Sequence, residues 1–186
     1  NPCPFGSASS SLAEGTIDNF MNKFFFTFDN TAKARSLKKN FLKNYTHHAL
    51  KHANVIIVGG GDGFMLQVLK KFEKYKKPFF GINCGTFGFL MNKNKDVNLI
   101  KRIKSAKKII LKPLEIKITK KNKIKNFLAI NELSLFRQSK QTASLQIIIN
   151  KKILLKKLIG DGLIVSTPAG STAYNMSVHG PILSLN

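Results

Sequence analysis

Acidic residues are scarce in this chain: nine Asp and Glu stand against 31 Lys and Arg, a formal net charge of +22 over 186 residues. Tryptophan is absent, and cysteine occurs only at Cys3 and Cys84, far apart and without CxxC spacing. Neither a disulfide framework nor a zinc site is indicated, and two reduced thiols are expected. The histidines, His47, His48, His52 and His179, show no HExxH spacing and no carboxylates arranged as co-ligands, so a structural metal site lacks support. No stretch reaches the roughly 18 uninterrupted apolar residues of a membrane span. The N-terminus lacks the charged, apolar, small-residue order of a signal peptide. The expected protein is therefore soluble and cytoplasmic, with no membrane partner.

Hydrophobic residues make up 43% of the chain, enough for a folded core under a very basic surface. The length suggests one full domain or two small ones, since domains run to roughly 100 to 200 residues. A strongly positive chain invites a nucleic-acid reading. The lysines, however, are scattered, and no aromatic residues interleave the clusters at Lys101 to Lys108 and Lys117 to Lys125 as base-stacking platforms. A solvated lysine face is expected, with no specific nucleic-acid partner. Its field would still concentrate anionic small molecules such as nucleotides.

Residues 1–19 hold two prolines and a Ser-rich run with little periodicity, and are expected to be a poorly ordered leader or extension. Lys23 to Phe28 reads as a strand, and Thr31 to Tyr45 places Ala34, Leu37, Phe41 and Leu42 at helical spacing. Ala53 to Val58 is a β-branched run ending in glycines, as in a strand buried on both faces of a parallel sheet. A helix from Phe64 to Phe72, a strand from Pro78 to Asn83 and a loop from Cys84 to Leu90 complete a βαβ rhythm. Beyond Lys112 the texture turns to short β-rich runs at Leu114 to Thr119, Phe127 to Leu135, Leu145 to Ile149 and Lys152 to Leu158. The final stretch, Gly160 to Leu185, is dense in Gly, Ser, Thr and Pro and reads as a ligand-binding loop. The expected fold class is α/β, a Rossmann-like domain over 20–112 followed by part of an antiparallel, sandwich-like all-β domain over 113–186.

Gly59, Gly60, Gly61, Asp62 and Gly63 fall between a buried strand and a helix, where exposed N–H groups and the helix dipole favour an anion such as phosphate. Glycines there admit close approach and φ > 0. A carboxylate in such a place must serve a proton or a metal: Asp62 can accept a proton from a substrate hydroxyl or orient Mg²⁺ between phosphates. The plainer alternative is a turn in which Asp62 caps the helix. There is no GxxxxGK[ST], which excludes a P-loop, and GGGDG is not the GxGxxG of a dinucleotide redox fold. Asn131 and Glu132 interrupt an apolar run, a costly placement unless they find partners. They either face ribose hydroxyls or mark a strand edge in water. Asp161, flanked by Gly160 and Gly162, is an isolated acid or a turn aspartate. Ser166, Thr167, Ser171, Thr172 and Tyr174 can offer neutral donors and acceptors to a sugar or base, or simply line a loop.

Taken together, GGGDGFMLQVL (59–69), INCGTFGFL (82–90), INELSLFRQ (130–138) and DGLIVSTPAGSTAYNMSVHGPIL (161–183) resemble the NAD kinase family, in the right order. The resemblance implies transfer of the γ-phosphoryl of ATP, or polyphosphate in some members, to the 2′-hydroxyl of the NAD adenosine ribose, with Mg²⁺ or another divalent cation accompanying ATP. It implies that Asp62 is the general base and touches NAD with Gly63. It further implies that Gly59, Gly60, Gly61 and Gly63 line phosphates, and that Phe89 packs near adenine. Asn131 and Glu132 would contact the NAD ribose or adenine, and Asp161 would lie near the nicotinamide half. Thr172, Ala173, Tyr174 and Ser177 match the TAYxxS segment that holds NAD. Phe64 replaces a frequent Thr, His179 stands where Gly is frequent, and members of the family continue beyond the position of Asn186, so a truncated C-terminal domain is expected. Full-length members imply a homo-oligomer. The alternatives are a GGDG-type lipid kinase, whose GTxND-like second motif is absent, and a non-catalytic basic nucleotide-binding fragment.

Overall fold

The computed structural model describes residues 23–86, 88–95 and 98–185. The expected leader over 1–19 lies outside the described residues. Contacts divide the chain into two units, which meet in sequence between Ile110 and Leu111.

In the first unit, Phe24–Phe28 (β1), Val55–Gly60 (β2) and Phe79–Asn83 (β3) form a parallel sheet in the order β1-β2-β3. Every residue of β2 is buried, as expected of a central strand with no polar side chain. Its side chains alternate between faces. Val55 and Ile57 join Phe24, Phe26, Phe80 and Ile82 on one face, while Ile56 and Val58 join Met65 and Val68 on the other. Burying each of the three consecutive side chains Ile56, Ile57 and Val58 contributes about 1.5 to 3 kcal/mol.

The helix Ala32–Asn44 (α1) starts at Thr31, whose hydroxyl accepts the Ala34 N–H at 3.3 Å. It turns Leu37 and Phe41 onto the first face, beside Leu99 of the short helix Leu99–Lys104 (α3). The helix Asp62–Phe72 (α2) covers the opposite face with Met65 and Val68. The covering helices thus change face between β1 and β2. In open α/β sheets ligands bind outside the carboxyl ends of the strands. Those ends supply Asp29, the Gly60-Gly61-Asp62 turn and Asn83.

The second unit is antiparallel throughout. Leu114–Lys120 (β4) pairs with Lys123–Ala129 (β5), and Ala143–Ile149 (β7) pairs with Lys152–Gly160 (β8). Both hairpins close through two residues at positive φ, Lys121 and Asn122 in one, Asn150 and Lys151 in the other. That conformation matches the twist of the strands it joins. Glu132–Phe136 (β6) pairs with Gly162–Ser166 (β9), so the β7-β8 hairpin is inserted between two partners. A short 3₁₀ turn, Ala169–Thr172, then leads into Tyr174–Ser177 (α4). The α/β fold with parallel then antiparallel strands is the expected one.

Two details differ from expectation. The run from Phe127 to Leu135 is not one strand: β5 stops at Ala129 because the carbonyls of Ile130 and Asn131 accept hydrogen bonds from Thr167, and the chain then pairs with β9. The Gly160 to Leu185 stretch is not a single loop, since its LIV core forms β9 and Gly162 allows the backbone of Leu135 to approach where a Cβ would collide. Among the described residues, no helix is long and apolar enough to cross a membrane.

Candidate active site

The glycine turn begins inside the sheet. Gly59 and Gly60 belong to β2, and their carbonyls accept the N–H groups of Asp29 and Cys84 at 2.9 and 2.8 Å. A Cβ on Gly59 would strike the Phe28 ring, and one on Gly60 would stand 2.8 Å from Phe64 Cδ1. These two glycines make room for aromatic packing. Gly61 and Gly63 are different, because a Cβ there would meet nothing within 4 Å. Their backbone is the approachable part of the turn, at the N-terminal, dipole-positive end of the 11-residue α2. No described glycine has positive φ, so close packing and access, rather than left-handed geometry, account for the motif.

Asp62 does not cap the helix; Gly61 holds the N-cap position without a side-chain bond. Instead the Asp62 carboxylate reaches across to the 85–90 loop, where Oδ2 accepts the Phe89 N–H at 2.8 Å and Oδ1 accepts the Leu90 N–H at 3.1 Å. Gly88 lies so close that an added Cβ would stand 3.1 Å from Asp62 Oδ1 and 3.2 Å from Asn83 Nδ2. Asn83 Oδ1 in turn accepts the Gly85 N–H at 2.8 Å. Gly85, Phe89 and Leu90 are therefore held by two side chains, and the Phe89 ring is left exposed. The sequence signal for Asn83 is weak, a lone amide ending an apolar strand two residues before Gly85.

Beside Asn83 opens a cavity of about 430 Å³ lined by Lys33, Ser36, Asn40, Cys84 and Asn94, with no carboxylate in its wall among the described residues. Burial pushes the Cys84 thiol up from its ordinary range, the Asp29 carboxylate adds to that, and Lys33 opposes it.

In the second unit, Asn131 and Glu132 are half-buried, and Asn131 Oδ1 and Glu132 Oε2 are buried without a hydrogen-bond partner. The plain strand edge in water is thereby replaced by a pair of orphaned acceptors. Burial pushes the Glu132 carboxyl up. Asp161 is exposed, but it is not an isolated acid: Oδ1 accepts Arg137 Nε at 2.5 Å, and its carbonyl accepts the Arg137 N–H at 2.9 Å. Arg137 went unassigned in the sequence, because its partner lies 24 residues away across the β6-β9 pair.

The hydroxyls of Ser166, Thr167 and Ser171 are engaged within the chain. Ser166 Oγ donates to the Thr167 carbonyl, Thr167 Oγ1 to that of Ile130 and Ser171 Oγ to that of Pro168, at 3.0, 2.6 and 2.7 Å. They are scaffold rather than free donors for a sugar. Thr172 and Ala173 are half-buried, whereas Tyr174 and Ser177 are exposed on α4.

Two family models match the chain: the ATP-NAD kinase N-terminal domain over residues 12–110, and the ATP-NAD kinase C-terminal domain over residues 130–186. The chain belongs to the NAD kinase family. It is 45% identical over 161 residues to the NAD kinase of Brucella suis biovar 1 (strain 1330), covering 86% of this chain and 63% of the relative. With the NAD kinase of Zymomonas mobilis subsp. mobilis (strain ATCC 31821 / ZM4 / CP4) it is 45% identical over 156 residues, 82% of this chain and 60% of the relative. The chain thus spans about three-fifths of the length of these curated NAD kinases. Among solved structures, yeast NADH kinase complexed with NADH matches with a TM-score of 0.63 at 19% identity, covering 89% of this chain and 63% of that one. An NAD kinase from Archaeoglobus fulgidus in complex with ATP matches with a TM-score of 0.61 at 21% identity, covering 87% and 67%. These likenesses bear on the fold, which is that of NAD kinases.

Proposed function

We propose that this chain carries NAD kinase activity, transferring the γ-phosphoryl of ATP to the 2′-hydroxyl of the adenosine ribose of NAD to give NADP. The observation that carries the reading is the fixed carboxylate of Asp62 beside the open backbone of Gly61 and Gly63 at the end of β2. A carboxylate oxygen that accepts one N–H keeps a lone pair for a second donor. In the proposed reaction Asp62 takes the proton of the 2′-hydroxyl as that oxygen bonds to the γ-phosphorus. The bond from phosphorus to the β,γ-bridging oxygen breaks, and ADP leaves. General-base help of this kind is worth about 10²- to 10⁴-fold in rate. The N–H groups at the start of α2 suit the charge on the transferring phosphoryl.

Mg²⁺ enters with ATP as part of the substrate, since the ion is commonly held by one or two carboxylates and by substrate phosphates. No group of three His, Cys, Asp or Glu is gathered as a ready cage among the described residues. Asn131 Oδ1 and Glu132 Oε2, buried acceptors lacking donors, suit the hydroxyls of an NAD ribose. Phe89 offers an exposed ring to adenine, and Thr172, Ala173, Tyr174 and Ser177 offer contacts to the rest of NAD. For the whole protein a homo-oligomer is proposed, as the resemblance to the family implies. The proposed setting is the cytoplasm, in keeping with the free thiol of Cys84.

The test is to incubate the chain with NAD, ATP and Mg²⁺ and to read the product with an NADP-specific dehydrogenase. NADP that requires all three components is the expected result. A folded chain that makes none would overturn the proposal.

A further inference from the structure

The Asn131–Glu132 pair sits at a break in the sheet, after β5 ends at Ala129 and as β6 begins at Glu132. Strand pairing therefore does not hold Ile130 and Asn131 in place; Thr167 does. This side chain is only 4% exposed. Its Oγ1 donates to the Ile130 carbonyl at 2.6 Å and accepts the Gly170 N–H at 3.0 Å, while its own N–H donates to the Asn131 carbonyl at 2.8 Å. Gly170 closes the arrangement from the other side, because any Cβ there would collide with the Asn131 backbone. The far end of the turn is pinned too: Ser171, fully buried, accepts the Leu183 N–H at 3.0 Å through the hydroxyl that donates to Pro168. One buried hydroxyl thus joins the residue before the orphaned acceptors to the turn that leads into Tyr174.

We infer that Thr167 is a positioning residue for NAD, setting where Asn131 Oδ1 and Glu132 Oε2 stand. The inference deepens the kinase reading and rests on it. Two buried acceptors gain from a ligand only when its donors meet them at hydrogen-bond distance, and a displacement of about 1 Å can cost a hundredfold. Valine has the shape of threonine but would leave the Ile130 carbonyl and the Gly170 N–H unpaired, so the turn and the pair would no longer be locked together. Serine keeps the hydroxyl.

The experiment compares Thr167→Val and Thr167→Ser with the unaltered chain, titrating NAD and ATP separately. Thr167→Val should raise the KM for NAD about 10- to 100-fold, leave the KM for ATP within about twofold, and be rescued by Thr167→Ser. An unchanged KM for NAD, or an equal loss for both substrates, overturns the inference while leaving the kinase reading standing. An unaltered chain that neither binds NAD nor forms NADP overturns both. Should Thr167→Val fail to fold, hydrogen exchange of the Gly170 amide in the unaltered chain decides. Saturating NAD slows that exchange at least tenfold if the Thr167 contacts belong to the NAD site, and unchanged exchange contradicts it.

Discussion

Oδ2 of Asp62 accepts the backbone N–H of Phe89 at 2.8 Å, tying the first turn of α2 to a residue 27 positions further along the chain. With the companion bond to Leu90, the residue proposed as the base is also the anchor of the loop that presents an aromatic ring. Asp62→Ala should therefore do more than remove a base. It removes two hydrogen bonds, one exposed and one half-buried, and should lower stability by about 1 kcal/mol, measured by urea unfolding. Unchanged stability would mean that the loop is held by other contacts.

Glu132 should act against the fold at neutral pH. Its carboxyl is raised above the ordinary glutamate value by burial, so the folded chain holds the proton more tightly than the unfolded one. The associated stability is fully present below the unfolded value of about 4.3 and is lost as pH rises through the folded value. Glu132→Gln should accordingly raise the melting temperature at pH 7 and raise it less, or not at all, below about pH 4. The same variant should weaken NAD binding. A melting temperature lowered at pH 7 would show that the carboxylate has a stabilising partner.

His179 is held at φ 62°, in the left-handed region that favours glycine. Glycine adopts this conformation without the cost a side chain adds. A non-glycine residue in this region costs roughly 1 to 2 kcal/mol, partly offset by the entropy a glycine loses on folding. His179→Gly should stabilise the chain by about 0.5 to 1 kcal/mol in chemical unfolding. Destabilisation would mean that the imidazole makes a compensating contact.

Cys84 should be a slow thiol. Burial and the Asp29 carboxylate both disfavour its thiolate, so alkylation at neutral pH should lag behind that of a free cysteine. Asp29→Asn removes one of the two causes and should speed labelling at fixed pH, with Cys3→Ser used to silence the other thiol. Faster labelling in the parent than in Asp29→Asn would reverse the assignment.

The first unit was legible because its physics is local. A β-branched run and helical spacing at Leu37 and Phe41 declare β2 and α1 without knowledge of neighbours. The helix α3 was not singled out, since in the sequence its six residues, half of them basic, merge with the Lys101 to Lys108 cluster. In the second unit the signals depend on distant partners. Nothing around Ile130 announces that Thr167 will take its carbonyl, so a break reads as a continuous strand. The hydroxyls of Ser166, Thr167 and Ser171 look alike in sequence to that of Thr172, and only their positions against Asn131, Pro168 and Leu183 reveal the first three as scaffold. Gly59 and Gly61 belong to one motif, yet one makes room for Phe28 and the other lies open. The candidate site was visible as a set of residues, and the division of labour within it was not.

The most direct test compares the turnover of Asp62→Asn with that of the parent chain under saturating NAD and Mg-ATP, with matched melting curves to establish that both are folded. Asparagine keeps one carbonyl acceptor for the loop but cannot take the proton of the 2′-hydroxyl. The expected result is a fall in kcat of about 10²- to 10⁴-fold. A folded Asp62→Asn chain that forms NADP at the parental rate would contradict it.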